Sequence, residues 1–247
     1  TQNLVEASLA SKVRYFIYTS SPSVVYQGKD LENVDESVPY LEKSSDNYSF
    51  SKMLAEKYVL SQDSDSFKTL ALRPHLIWGP KDPHFLPRLQ KLSTTKKLKL
   101  FSGGPYLIDT TYIDSAVEAH VKAFEKLAAG APVNGKAYFI SQNEPLDVSD
   151  FIGLLLKVMD LPPVKPSVPP GLGRAMGSLC ETLWKIFNLK EEPPLTKFSA
   201  QQLTTHHYFN VGKAKSFLGY GPEKTLKDGL RELALYLKQT KKNLESI

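Results

Sequence analysis

Val13-Arg14-Tyr15-Phe16-Ile17-Tyr18 runs directly into Thr19-Ser20-Ser21-Pro22-Ser23. The first six residues are β-branched, aromatic and nearly all apolar, as a strand buried in a parallel sheet should be. The next five form a hydroxyl-rich turn. Open α/β sheets place their ligands at the C-terminal ends of such strands. Ser and Pro are also ordinary turn formers, so a plain strand-ending loop is the alternative. Before the strand, Thr1 to Lys12 reads as a helix with Leu4, Val5, Ser8 and Leu9 on one side. After it, residues 27–47 carry Gly28, Asp30, Asp35, Glu36 and Pro39 and read as a surface loop. A helix then starts at Tyr48, and Phe67 to Arg73 reads as a second buried strand stopped by Pro74. Helix, strand, helix, strand is part of a doubly wound α/β sheet.

The helix after the loop begins Tyr48-Ser49-Phe50-Ser51-Lys52. Asp46 or Asn47 can cap it, and Met53, Leu54, Ala55, Tyr58, Val59 and Leu60 continue it. Residues four apart share a helix face, so the Tyr48 phenol and the Lys52 ammonium can enter one site. A free tyrosine titrates near ~10, too high for proton exchange at neutral pH, and a fixed positive charge nearby lowers that value. Tyr48 then becomes a candidate general acid or base, tuned by Lys52. The spacing alone is weak and suits an ordinary helix equally well.

Downstream, Asp114 is expected to cap a helix carrying Val117, Val121, Phe124 and Leu127. Tyr138-Phe139-Ile140 reads as a short strand, and Asp147 or Ser149 caps a helix over Phe151 to Met159. Residues 161–173 are rich in Pro and Gly and read as a loop or linker. Leu172, Met176, Leu179, Cys180, Leu183, Ile186 and Phe187 then recur at helical spacing beside Trp184. This segment is either a helix packed over a substrate pocket or an amphipathic surface that touches membrane or admits a lipid-like substrate. Thr225 with Asp228 resembles a capping box ahead of a last helix on Leu226, Leu230, Leu233 and Leu237.

Composition narrows the function classes. The 247 residues are 41% hydrophobic and 23% charged, enough for one large soluble domain or a domain and a half. A net charge of +5 is dispersed and accompanied by no recognition motif, which argues against nucleic acid as a partner. The single cysteine, Cys180, excludes an internal disulfide and suits a reducing, cytoplasmic setting. No apolar run reaches the ~18 residues of a membrane-spanning helix. His206-His207 lacks the further spacing of a metal site, so no metal is expected. No GxSxG turn supports a serine hydrolase.

The ordered set TSSPSVVY, YSFSK, LRPHLIWGPKDPHFLPRL, IDTTYIDSAVEAHVKAFEKL and YFNVGKAK resembles the extended short-chain dehydrogenases. The nearest branch is that of the 3β-hydroxysteroid and sterol-4-carboxylate dehydrogenases, with related 2-alkyl-3-oxoalkanoate reductases. The resemblance covers nearly the whole chain. It implies a Rossmann-like doubly wound parallel sheet, incomplete at its N-terminus, with a smaller C-terminal substrate-binding part. Residues 1–80 are expected to form the second half of a dinucleotide-binding domain, and residues 81–247 a mixed sheet-completing and substrate-binding region. The departure is the glycine-rich strand-turn-helix that holds a pyrophosphate, which precedes the TSS strand in that family and is not found here. The chain also opens on Thr1, so a fragment, or a short form kept for binding lipid or a partner, is expected.

By resemblance, the catalytic residues are Ser21, Tyr48 and Lys52. Ser21 hydrogen-bonds the substrate oxygen, Tyr48 passes a proton, and Lys52 holds the nicotinamide ribose. Thr19, Ser20, Tyr48, Lys52, Pro74, His75 and Leu76 are the implied cofactor contacts, the last three through a loop that passes the nicotinamide carboxamide. Ser23, His84 and Arg88 are the implied substrate contacts. His75 is read as a structural loop residue rather than an acid or base, and Asp109 and Tyr112 as groups that position the following helix. The cofactor is NAD, with NADP left open. The substrate is an apolar alcohol or ketone: a steroid or sterol first, a long-chain 3-oxoacyl compound second, a nucleotide sugar less favoured. A homodimer and a peripheral membrane contact complete the expectations.

Overall fold

A computed structural model describes residues 1–42, 46–187 and 195–245, so residues 43–45 of the expected 27–47 loop lie outside it. The chain runs α1 (Gln2–Ala10), β1 (Tyr15–Thr19), a 3₁₀ turn (Pro22–Val25), β2 (Leu31–Val34), α2 (Asn47–Ser61), β3 (Lys68–Pro74), β4 (Ile77–Trp78) and α3 (Phe85–Thr94). It continues with β5 (Leu100–Phe101), β6 (Leu107–Ile108), β7 (Thr111–Tyr112), α4 (Ile113–Ala128), β8 (Lys136–Ile140), β9 (Leu146–Asp147) and α5 (Val148–Val158). It closes with β10 (Pro166–Val168), α6 (Pro170–Ile186), α7 (Lys197–Gln202), β11 (His207–Phe209), a π turn (Ala214–Leu218) and α8 (Leu226–Glu245).

The main sheet is parallel in the order β1-β3-β8, with Ile17 opposite Leu70 and Leu72 opposite Tyr138. Its alternating side chains feed two cores. Tyr15, Ile17, Leu70, Leu72, Tyr138 and Ile140 pack with Ala119, Ala123 and Leu127 of α4. Phe16 and Tyr18 pack on the opposite face with Val5 of α1 and Val59 of α2. Helices therefore cover both faces, which makes this a doubly wound α/β sheet. A second sheet has the order β2-β11-β6-β9 and lies beyond the C-terminal ends of the first. The largest core joins Trp78, Tyr112, α3, α5 and Leu233 of α8.

Several expectations change in detail. β1 is half-buried rather than buried, because β3 is its one strand partner among the described residues. In α1 only Val5 is buried, while Leu4 is 63% exposed. The polar loop hides a strand, β2, whose ladder to β11 is a tertiary pairing no local pattern announces. Residues 161–173 likewise contain β10, paired with β5, and the first turn of α6. Helix α4 is capped at Tyr112, so Asp114 sits in its first turn. Its sheet-facing stripe is Ser115, Ala116, Ala119, Ala123 and Leu127, while Val117, Val121 and Phe124 are exposed. Small residues let the helix approach the sheet closely, so size, not hydrophobicity, chose the buried face. Leu172, Met176, Leu179, Leu183, Ile186 and Phe187 are all exposed, so this row of α6 points away from the protein body.

Candidate active site

The C-terminal ends of β1 and β3 and the N-terminus of α2 meet at one edge of the main sheet. Asp46 caps α2, its carboxylate accepting from Ser49 N–H at 2.7 Å and Ser49 O–H at 2.7 Å. The buried stripe of α2 is Ser49, Met53, Glu56 and Val59. Tyr48 and Lys52 lie on the neighbouring stripe, at the rim of a cavity of about 610 Å³ also lined by Tyr18, Leu54 and Tyr58. Tyr48 is 54% exposed. The Lys52 ammonium donates to Thr19 C=O at 2.7 Å and stands 4.9 Å from the centre of the Tyr18 ring. Burial lowers the Lys52 pKa, with Glu56 opposing it. Burial raises that of Tyr18.

One turn beyond Lys52, Glu56 is fully buried and receives Arg73 Nε and Nη2 at 2.6–3.2 Å. Tyr40 O–H also donates to Glu56, at 2.6 Å. Burial first, and the Glu56 charge second, push the Tyr40 phenol up to about 12. This network pins α2 to β3 and so fixes where Tyr48 and Lys52 stand. Sequence reading missed it, although Glu56 shares a stripe with Met53 and Val59, which signalled burial.

Ser20 N–H donates to Leu72 C=O at 2.7 Å, which holds the hydroxyl-rich turn against the end of β3. Ser21 caps the 3₁₀ turn, its Oγ accepting from Ser23 N–H at 3.2 Å. Ser20 and Ser23 are buried, and neither hydroxyl has a hydrogen-bond partner among the described residues. Thr19 Oγ pairs with His120 Nε2 at 2.8 Å. His120 Nδ1 lies 2.7 Å from Ala116 C=O and so donates to it, which makes Thr19 the donor to Nε2.

After Pro74, both backbone groups of His75 are committed: its N–H donates to Ile140 C=O at 3.1 Å and its C=O accepts from Thr111 O–H at 2.7 Å. Leu76 has a φ of 40°, an unusual conformation for a side-chain-bearing residue. His75 Nδ1 lies 2.7 Å from Asp109 Oδ1, and Asp109 Oδ2 accepts from Phe209 N–H at 3.0 Å. The His75 ring also packs 5.0 Å from His207 and 5.2 Å from Phe209. His207 Nδ1 donates to Thr205 C=O at 3.0 Å. Burial, then the neighbouring His75, push the His207 pKa down to about 3. His206 turns elsewhere, its Nδ1 accepting from Leu107 N–H at 3.1 Å. The His75–Asp109 pair spans 34 residues, and no short spacing marks it.

His84 and Arg88 lie apart from this cluster. His84 is exposed at the start of α3, beside a cavity of about 260 Å³ also lined by Trp78, Phe85 and Ile113. Arg88 is exposed one turn later on α3. Ser21 does not line the larger cavity. The structure thus sets Tyr48 and Lys52 along one cavity, places Ser21, Ser23 and His75 in the turns that follow β1 and β3, and leaves His84 and Arg88 at α3.

Comparison with known proteins adds the following. The model of the 3-beta hydroxysteroid dehydrogenase/isomerase family matches residues 1–169. A 2-alkyl-3-oxoalkanoate reductase from Shewanella oneidensis is 41% identical over 239 residues, covering 94% of this chain and 62% of that protein. A decarboxylating sterol-4-alpha-carboxylate 3-dehydrogenase from Schizosaccharomyces pombe is 35% identical, covering 98% of this chain and 72% of that protein. The chain thus spans about two thirds of the length of these relatives. The crystal structure of UDP-glucuronic acid 4-epimerase from Bacillus cereus in complex with NAD shares the fold, with a TM-score of 0.66, 24% identity, and coverage of 97% of this chain and 66% of that one.

Proposed function

The chain belongs to the 3-beta hydroxysteroid dehydrogenase/isomerase family, and from that premise we propose that it carries the proton-transfer residues of an NAD(P)-dependent oxidoreductase. The reaction is the interconversion of a secondary alcohol and a ketone on an apolar substrate. The observation that carries this reading is the pairing of Tyr48 with Lys52 on one stripe of α2, the ammonium anchored 2.7 Å from Thr19 C=O at a cavity rim.

The residues fit the nicotinamide-ribose end of a dinucleotide. Lys52 has three N–H donors and spends one on Thr19, which leaves two for ribose hydroxyls. No glycine-rich GxGxxG or GxxGxxG turn of the pyrophosphate-binding kind precedes the Thr19-Ser20-Ser21 strand end in this sequence. Nicotinamide, when bound, supplies the acceptor or donor of hydride. Tyr48 exchanges a proton with the substrate oxygen. Ser21 accepts from Ser23 N–H, which leaves its own O–H to donate to the same oxygen and stabilise charge developing there. The buried Glu56–Arg73 pair holds the helix that presents Tyr48.

The names of the two relatives support a sterol or a 2-alkyl-3-oxoalkanoate as the substrate class. The outward apolar row of α6 supports a peripheral membrane contact rather than a cover packed over the pocket. Exposed Leu4, Phe50 and Leu54 support a homodimer through α1 and α2. The test is substrate-dependent formation of NADH or NADPH by the full-length protein, assayed with 3β-hydroxysteroids, sterol carboxylates and long-chain 3-hydroxyalkanoates. Failure with all three classes would end this reading.

A further inference from the structure

Among the described residues, no carboxylate lies within hydrogen-bond reach of the Lys52 ammonium. Glu56, one turn further along α2, is committed to Arg73 and Tyr40. The one acceptor the ammonium has among the described residues is Thr19 C=O, at 2.7 Å. Where that carbonyl stands therefore decides where Lys52 stands.

Thr19 is the last residue of β1 and is exposed. A trans peptide points its C=O and the following N–H in opposite directions. Ser20 N–H turns to β3, donating to Leu72 C=O at 2.7 Å. Thr19 C=O therefore turns to the other side of β1, where no strand pairs with it among the described residues. Lys52 takes the place of a strand at this edge. Strand ends with exposed backbone open most readily, so a further hold on Thr19 has something to fix.

That hold comes from α4. Thr19 Oγ donates to His120 Nε2 at 2.8 Å, across 101 residues of sequence, and His120 Nδ1 donates to Ala116 C=O at 2.7 Å. The second bond sets the tautomer that makes Nε2 an acceptor. It also ties the ring to a helix whose Ala116 and Ala119 are buried. Threonine is stiff at χ1, and its rotamer is coupled to φ and ψ. A Thr19 side chain pinned at Oγ thus restrains the backbone that carries its carbonyl.

Resting on the oxidoreductase reading, we propose that His120 is a positioning residue for the reaction. It holds the Thr19 hydroxyl, Thr19 C=O holds the Lys52 ammonium, and Lys52 serves the nicotinamide ribose and Tyr48. This series of contacts moves no proton; it fixes geometry.

The test uses the full-length protein and two readouts. One is NAD affinity, followed by quenching of protein fluorescence. The other is kcat, with the KM of an alcohol that the wild type oxidises. A neutral hydrogen bond is worth roughly 2- to 10-fold. His120→Leu should weaken NAD binding and lower kcat, each by about that factor, with substrate KM and Tm close to wild type. His120→Gln, whose amide oxygen can accept from Thr19, should recover most of both. Thr19→Val deletes the donor without touching α4 and should reproduce the loss, which keeps the proposal testable if His120→Leu fails to fold. The two substitutions together should cost no more than either alone. In a Lys52→Met background, His120→Leu should leave NAD affinity unchanged. Additive losses at Thr19 and His120, or a full His120→Leu effect without Lys52, would make His120 a merely structural residue and overturn the proposal. So would wild-type behaviour of His120→Leu. Each of these leaves the oxidoreductase reading standing, because the wild type still binds NAD and turns over. A wild type that binds neither NAD nor NADP and oxidises no alcohol would overturn both.

Discussion

Glu56→Gln removes the carboxylate that holds α2 to β3. The geometry sets the size of the effect. Arg73 is 2% exposed and gives Glu56 three contacts at 2.6, 3.1 and 3.2 Å. Tyr40 adds a fourth at 2.6 Å. An amide keeps the shape but leaves the guanidinium buried without a counter-charge. Breaking a buried pair from one side costs about 3–5 kcal/mol. That is a large share of the roughly 5–15 kcal/mol that stabilises a domain. For a chain of this size each kcal/mol shifts Tm by about 2–4 °C, so a fall of roughly 6–20 °C is expected. The assay is urea unfolding followed by circular dichroism, where the midpoint should drop with m unchanged. The double variant Glu56→Leu with Arg73→Met removes both charges and should regain more than half of the loss. A cost below about 1 kcal/mol, or no recovery in the double variant, would refute the idea that a desolvated ion pair anchors the catalytic helix.

Two further outcomes follow from the packing and the charges. His207 is neutral in the fold down to about pH 3, whereas an unfolded histidine takes up its proton near ~6.5. Between those values the unfolded state binds more protons, so stability is full above about pH 6.5 and declines by up to about 1.4 kcal/mol per pH unit as pH falls. His207→Phe should flatten that slope in unfolding measurements between pH 7 and 4, and an unchanged slope would contradict the assignment. A Cβ at Gly177 would lie 2.7 Å from the backbone of Thr196 and Lys197. Gly177→Ala should therefore destabilise the α6–α7 contact by about 1–3 kcal/mol, outweighing the roughly 1 kcal/mol gained in helix propensity. A rise in Tm would contradict this.

The elements with local signals were legible. The β1 and β3 strands announced themselves by apolar composition, α2 by its Asp46 cap, and α8 by the Thr225–Asp228 box, whose reciprocal bonds are present at 2.6–3.2 Å. Tyr48 and Lys52 were legible as a pair because helix geometry alone puts residues four apart on one face. What stayed hidden depends on partners distant in the chain. Strand β2 exists because β11 pairs with it from the other end of the chain. The His75–Asp109 link joins two loops that meet only when β3 and β6 are in place. The orientation of α4 was not legible, because its apolar residues fit either face, and the alanine stripe is the buried one, allowing a close approach to β1 and β3. The outward face of α6 was equally undecidable, since periodicity tells which residues share a face but not which way that face points.

The central claim is that Tyr48 exchanges the proton at the reacting oxygen. Its most direct test is Tyr48→Phe in the full-length protein, with turnover of an alcohol substrate and cofactor affinity measured side by side. The expected result is a fall in kcat of about 10²–10⁴-fold, the usual share of general acid–base catalysis, with cofactor affinity and Tm close to wild type, since Tyr48 is 54% exposed and its ring belongs to no core cluster. A variant that turns over within a few-fold of wild type would contradict the claim.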